Sequence, residues 1–350
     1  MQSQLELLKS SLKLLTQQLT AKDKVSLVVY AGATGLVLEP TQGNQSDKIL
    51  AALDRLSAGG STNGGAGIQL AYAVAKQAFI KDGINRVLLA TDGDFNVGTV
   101  NFEALKNLIE EKRKTGISLT TLGFGMGNYN DHLMEQLADA GNGNYAYIDN
   151  LNEAQKVLVD EMSGTINTIA KDVKVQIEFN PTTVAEYRLI GYENRMLKGE
   201  DFSNDKVDAG EIGAGHTVTA LYEIALVGSG GERIENLRYG EKKTADGQGN
   251  NELAFLRLRY KAPDGDTSQL LEWPLKRQEI IETVETTSER FRFSAAVAAF
   301  GQQMRGGKYL ERFSYKEILN LARGARGDDA FGYRAEFIKL VNLAQSLGSE

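Results

Sequence analysis

The sequence predicts an α/β protein: a doubly wound, mostly parallel sheet in its first half, then a β-rich α+β domain in its second. Two patterns carry this. Up to about Ile169, strand-length apolar runs alternate with stripes of helical spacing. Strands that alternate with helices need parallel crossovers. Near Asp172 the pattern turns to period two with Gly- and Asp-rich turns, the mark of antiparallel strands. Length agrees: 350 residues at about 100–200 per domain give about two domains. The expected domains are residues 1–169 and 170–350.

Each element has its own warrant. Leu5, Leu8, Leu12, Leu15 and Leu19 recur at steps of three and four, one apolar helix face. Lys24–Tyr30 is a β-branched run, hence a strand. Gly35–Thr41 reads as an antiparallel edge strand, because it holds Pro40. Ser46–Leu56 and Gly64–Phe79 read as helices, the second with Ile68, Ala71, Tyr72 and Ala75 on one face. Asn85–Thr91, Ile117–Phe124 and Tyr145–Ile148 are apolar strand runs. Between and after them lie helix patterns over Phe102–Lys114, Asp131–Ala140 (closed by Gly141) and Leu151–Ile166. In the second half Val173–Phe179, His216–Val227, Leu253–Tyr260 and Gln269–Pro274 read as strands. Phe293, Val297, Phe300 and Met304 form a helix stripe stopped by Gly306 and Gly307. Ser314 and Glu317 have capping-box spacing, and a last helix runs from about Asp329 to Ser346. Trp273 is expected in a core or an interface.

Composition narrows the chemistry. The chain has no Cys, so disulfides, Cys-ligated zinc and cysteine nucleophiles are excluded within it. Its two His, His132 and His216, lie far apart in sequence and in no motif, which disfavours a multi-His metal site. A net charge of −7 argues against broad nucleic-acid binding. No run approaches the ~20 apolar residues of a membrane span. The N-terminal residues lack a signal-peptide pattern, so a cytoplasmic location is expected if Met1 is the true start.

Two loops at strand ends could carry function. Gly59-Gly-Ser-Thr-Asn-Gly-Gly-Ala-Gly-Ile68 leads into a helix, and Thr91-Asp-Gly-Asp-Phe-Asn-Val-Gly98 follows a strand. In a doubly wound sheet both belong to the rim at the strands' carboxyl ends. Hydroxyl and carboxylate oxygens suit a hard cation such as Mg²⁺. Taken singly, each loop also has a plain structural reading. Ser61 or Thr62 would be a helix N-cap, and Asp92 a turn carboxylate. Other motifs fit less well. Asp92-x-Asp94-x-Asn96 imitates a calcium loop but has Val97 where Gly belongs. The Gly59–Gly67 loop lacks a P-loop Lys, and no G-x-S-x-G elbow exists. Arg323-Gly-Ala-Arg326 reads as an interhelical loop, with an anion site as the alternative.

Taken together, Leu-Ala-Thr-Asp92-Gly after a strand and Gly-Ser-Thr62-Asn-Gly-Gly-Ala-Gly-Ile before a helix resemble the von Willebrand factor A (vWA) domain. Asp23-Lys-Val-Ser-Leu-Val-Val-Tyr-Ala and Thr121-Leu-Gly-Phe-Gly extend the likeness over about residues 1–169. Tyr187–Arg195 and Asp208–His216 resemble the C-terminal domain of bacterial YfbK-type vWA proteins. The resemblance implies a non-enzymatic, protein-binding rim. It also implies a metal-ion-dependent adhesion site built from Asp-x-Ser-x-Ser, a Thr and an Asp, in which a partner's acidic side chain completes the shell of Mg²⁺ (or Ca²⁺/Mn²⁺). Thr62 and Asp92 match the last two parts, and Ser61, Asn63, Asp94, Asn96 and Asn128 would line the rim. The Asp-x-Ser-x-Ser element and the central strand that ends in it are absent from this sequence. Metal binding is therefore expected to be weak or absent. The strands at Val25–Tyr30 and Val87–Thr91 should either pair directly or leave a gap. The chain is expected to be an N-terminally truncated form of a longer protein, which the resemblance would place in the bacterial cell envelope. Two alternatives stay open: a metal-free interaction role, and a Mg²⁺-dependent phosphate enzyme using Asp92 and Asp94. The latter would need a cationic clamp near the rim, whereas Lys81 and Arg86 belong to the opposite end of their strand.

Overall fold

The computed structural model describes residues 2–30, 34–59, 63–91, 101–124, 130–161, 164, 167–192, 196–207, 209–234, 251–263, 265–310 and 313–348. Two compact units form. The first comprises residues 1–174, 206–217 and 260–269, and the second residues 175–205, 218–259 and 270–350.

The first unit begins with α1 (Gln2–Thr16), β1 (Lys24–Val29), β2 (Gly35–Gln42), α2 (Ser46–Asp54) and α3 (Gly64–Gln77). It continues with β3 (Asn85–Thr91), α4 (Phe102–Arg113), β4 (Ile117–Phe124), α5 (Asp131–Ala140), β5 (Tyr145–Ile148) and α6 (Leu151–Gln155). A π-helical turn, Lys156–Asp160, prolongs α6, so the expected regular helix to Ile166 changes its hydrogen bonding after one turn. Strands β3, β4 and β5 are parallel, with Asn85 beside Ile117 and Thr121 beside Tyr145. Strand β2 pairs antiparallel with β1, as expected of a short connection. Among the described residues no ladder joins β1 to β3. Direct pairing, one of the two outcomes expected for these strands, is thus not found among the described residues.

The alternation of side chains along β3 divides the core. Val87 and Leu89 pack with Ile68 and Tyr72 of α3, Leu105 and Ile109 of α4, and Leu137 of α5. Leu88 and Ala90 face the other way, toward Leu7, Leu8, Leu14 and Leu15 of α1 and Val157 and Leu158 after α6. Helices thus cover both faces, the doubly wound arrangement. A third cluster joins Leu38 of β2 to Ile49 and Leu53 of α2.

The remaining elements are β6 (Thr168–Phe179), β7 (Val184–Ile190), β8 (Gly210–Gly213), β9 (Leu221–Leu226), β10 (Glu252–Lys261), β11 (Ser268–Lys276), α7 (Glu289–Met304), α8 (Tyr315–Gly324) and α9 (Tyr333–Leu347). One sheet has the order β11-β10-β6-β8, and β7 and β9 form an antiparallel pair. Three expectations change here. The strand expected from His216 begins at Leu221, where pairing with Ile190 starts; residues 216–220 are exposed. Of the core or interface expected for Trp273, the core is excluded: it is 46% exposed on β11 at the end of the sheet order. The stripe on α7 splits: Phe293 and Phe300 join Ala296, Ala299, Ile318 and Val341 in a helical core, while Val297 and Met304 are 44% and 61% exposed. Phe293 and Phe300 are seven apart and share one helix face, which the small Ala296 and Ala299 bring close to α8. The capping box forms as expected, with the Glu317 carboxylate accepting from Ser314 N at 2.5 Å and Ser314 Oγ at 2.8 Å.

Candidate functional site

Of the residues expected at the rim, Asn63 is described; Ser61, Thr62, Asp92, Asp94, Asn96 and Asn128 lie outside the described residues. Asn63 is exposed and is itself the N-cap of α3, its Oδ1 accepting from Ala66 N at 3.2 Å. This corrects the reading in which Ser61 or Thr62 caps the helix. An asparagine oxygen fills an N-cap as well as a hydroxyl does. The same residue type starts the next three helices. Asn101 accepts from Ala104 N, Asn130 from Leu133 N, and Asn150 from both Asn152 N and Glu153 N. The sequence signal for these caps is an Asn just before each helix pattern.

The segments that flank the two expected metal residues are tied together by Tyr30, the residue after β1. Its carbonyl accepts from Asn63 N at 3.1 Å, and its hydroxyl donates to Ala90 O at 2.5 Å. Asn63 follows Thr62 in sequence, and Ala90 is two residues before Asp92. Behind this link α3 comes so close that a Cβ on Gly67 would lie 2.5 Å from Tyr30 Cβ. A glycine at the fourth position of the helix is thus what lets the aromatic side chain reach across to β3. The sequence marks Tyr30 only as the end of a strand, and nothing local in it points to this link.

The opposite end of the sheet has different chemistry. Arg86, the second residue of β3, donates from Nη1 to Thr120 Oγ1 of β4 at 2.6 Å. Burial pulls its pKa down to about 10, opposed by the nearby Glu211 carboxylate. Arg86 is thus committed inside the fold at the amino end of the strands, not placed as a clamp at the rim. Among the described residues no three His, Cys, Asp or Glu are grouped so as to hold a metal. Thr62 and Asp92 fit a divalent hard cation in kind, since both offer oxygen. They fall short in number, because two protein ligands leave most of a six-coordinate shell to water. No helix among the described residues is long and apolar enough to cross a membrane.

The von Willebrand factor type A domain family matches residues 1–160, and the family described as "Uncharacterized protein YfbK, C-terminal" matches residues 164–347. The Escherichia coli (strain K12) protein YfbK is 50% identical over 344 residues, which cover 98% of this chain and 59% of that protein. The Synechocystis protein sll0103 is 30% identical over 151 residues, 43% of this chain and 35% of the relative. The chain therefore spans about three-fifths of the first relative's length and about a third of the second's. Among solved structures, a von Willebrand factor type A protein from Catenulispora acidiphila superposes with a TM-score of 0.46 at 15% identity, covering 94% of this chain and 77% of that one. The motif order in residues 1–160 and the match over residues 164–347 agree: the chain belongs to the YfbK family, in which a von Willebrand factor type A domain precedes the YfbK C-terminal domain.

Proposed function

We propose that this chain is a non-enzymatic protein-binding module whose contact surface is the vWA rim beside Asn63. The observation that supports the reading is the Tyr30 link: one residue joins the start of α3, at Asn63, to the end of β3, at Ala90. The exposed Asn63 side chain, with its Nδ2 not used by the cap, adds a polar contact for a partner. Thr62 and Asp92 would hold Mg²⁺ (or Ca²⁺/Mn²⁺) with water, and such an ion supplies a coordination position for a partner's acidic side chain. Rim contacts by Ser61, Asn63, Asp94, Asn96 and Asn128 do not depend on that ion. For the longer protein to which this family relationship points, the bacterial cell envelope is the proposed compartment.

The experiment is a thermal melt of the 350-residue chain with and without millimolar Mg²⁺ or Mn²⁺, repeated with Asp92→Ala and Thr62→Ala. A ligand of the native state at ten times its Kd stabilises by about 1.4 kcal/mol, enough to move the midpoint by a few degrees. A shift abolished by either substitution supports the metal. An unshifted midpoint favours the metal-free interaction role, for which the Asn63 cap and the Tyr30 link already supply a fixed rim. Magnesium-stimulated turnover of a generic phosphate ester, lost in Asp92→Ala, would overturn the non-enzymatic reading.

A further inference from the structure

The second unit contains an apolar cleft of about 820 Å³ between the β7–β9 pair and helices α7 and α8. That volume lies within the roughly 300–1,000 Å³ of small-molecule sites. Ile190 and Leu221 wall one side, and Phe291, Ala298, Leu310 and Phe313 line the other. The alanines make the α7 wall flat, and Phe291 remains 46% exposed. Water against such walls is unfavourable, and a chain of methylenes would displace it.

One end of the cleft is lined by Arg188 and Glu223, with Lys308 and Arg233 grouped around Tyr309 beside it. Arg188 lies 4.1 Å above the Tyr309 ring, and Lys308 Nζ lies 5.1 Å from the same ring. Arg188 Nε donates to Glu223 Oε2 and its Nη2 to Gln302 Oε1, each at 2.6 Å. Its Nη1 donates to no described residue. Glu223 is divided between Arg188 and Arg233, the latter at 3.2 Å. The other end holds Glu285 and Arg292, near the start of α7, whereas Glu317 lies in the first turn of α8, beside the end of α7 where Tyr315 meets Met304 and Phe300. Arg292 is committed to the carbonyls of Glu285, Thr287 and Gly324, and Glu317 to Ser314.

From this arrangement we infer that the cleft binds a single-tailed anionic amphiphile, its head at Arg188 and Lys308 and its tail along α7. Arg188 is held at the correct angle by Glu223, Gln302 and Tyr309, so little side-chain entropy is lost when Nη1 meets an anionic oxygen. The tail covers the apolar walls without any polar demand. A fatty carboxylate and a phosphate-headed lipid share this chemistry.

Calorimetric titration of the full 350-residue chain with decanoate, decyl phosphate and decyltrimethylammonium, all below their micellar concentrations, tests the assignment. One equivalent of an anionic probe should bind. Arg188→Gln should weaken it about tenfold, the loss of one charge-assisted hydrogen bond. Ala298→Trp, which fills the cleft and leaves the charges in place, should abolish binding while far-UV circular dichroism is unchanged. Tighter binding of decanoate points to a fatty acid, and tighter binding of decyl phosphate to a lipid phosphate. No binding of either anion, equal binding of the cationic probe, or undiminished binding in Ala298→Trp would overturn the inference. The Ala298 variant keeps the test decisive if Arg188→Gln fails to fold.

Discussion

Replacing Gly67 by alanine sets two effects of opposite sign against each other. Gly67 lies inside α3, where alanine is favoured over glycine by about 0.8–1.0 kcal/mol. A Cβ there would sit 2.5 Å from Tyr30 Cβ and 2.8 Å from Tyr30 Cγ. Overpacking of this kind costs roughly 1–3 kcal/mol. Tyr30 cannot easily give way, because its carbonyl and hydroxyl are both bonded, to Asn63 N and Ala90 O. The clash should win, leaving Gly67→Ala about 1 kcal/mol less stable. Gly301 in α7 is the control: its added Cβ meets nothing within 4 Å, so Gly301→Ala should be stabilising by up to about 1 kcal/mol. A two-unit chain need not unfold in one step, so stability is best read by native-state hydrogen exchange at α3 and α7 amides separately. Gly67→Ala as stabilising as Gly301→Ala would refute the reasoning, because it would mean that Tyr30 is not fixed against α3.

Further outcomes follow from the same geometry. Tyr30→Phe deletes the bond to Ala90 O and should cost about 1 kcal/mol, with faster amide exchange in both α3's first turn and the end of β3. Exchange that rises at only one of them would show that the hydroxyl does not couple the two. Gly143→Ala would drive a Cβ to 1.8 Å from Leu119 O, a rigid backbone atom, and should reach or pass the roughly 3 kcal/mol upper end of overpacking costs. A soluble variant with unchanged melting would contradict that. The Ser314 amide, and then its hydroxyl, hold the Glu317 carboxyl below its ordinary range. A depressed carboxylate contributes stability that is present above its unfolded value and lost as pH falls through the folded one. α8 should therefore loosen on acidification below the ordinary glutamate range, and Glu317→Gln should flatten that dependence. An identical acid profile for the two proteins would refute this.

The parallel half of the fold was legible almost residue by residue. Asn85–Thr91, Ile117–Phe124 and Tyr145–Ile148 are buried runs bounded by turn residues, and their strands match those limits. The second half was less so, for local reasons. Val184–Ile190 carries Glu186 and Arg188 in a seven-residue strand, so its apolar signal is diluted. Gly210–Gly213 holds two glycines, which lower strand propensity, and is a strand because β6 pairs with it. On α7 the residues Phe293, Val297, Phe300 and Met304 follow helical spacing. Spacing alone does not reveal that the neighbouring helices meet the Ala296–Ala299 side. At the candidate site the loops announced themselves through composition, whereas Tyr30 did not. Its role depends on a contact 60 residues away in sequence, with Ala90.

That same contact bears on how the first unit holds together where, among the described residues, no ladder joins β1 to β3. Paired strands stand about 4.8 Å apart and satisfy each other's backbone groups. Here a side chain, not a strand, reaches Ala90 O from the residue after β1. Two other features compensate for the lost pairing. Leu88 and Ala90 are covered by α1 on one face, and Val87 and Leu89 by α3 on the other, so β3 keeps its apolar burial. β1 keeps its own through β2 and α2, with Val25 and Leu27 against Leu38 and Leu53. Burial on both sides therefore fixes the positions of β1 and β3, and among the described residues no ladder pairs the backbone edges between them. Tyr30 stands where these edges meet the rim. Its carbonyl holds the backbone of Asn63 and its hydroxyl that of Ala90, so the first turn of α3 and the end of β3 share one anchoring residue.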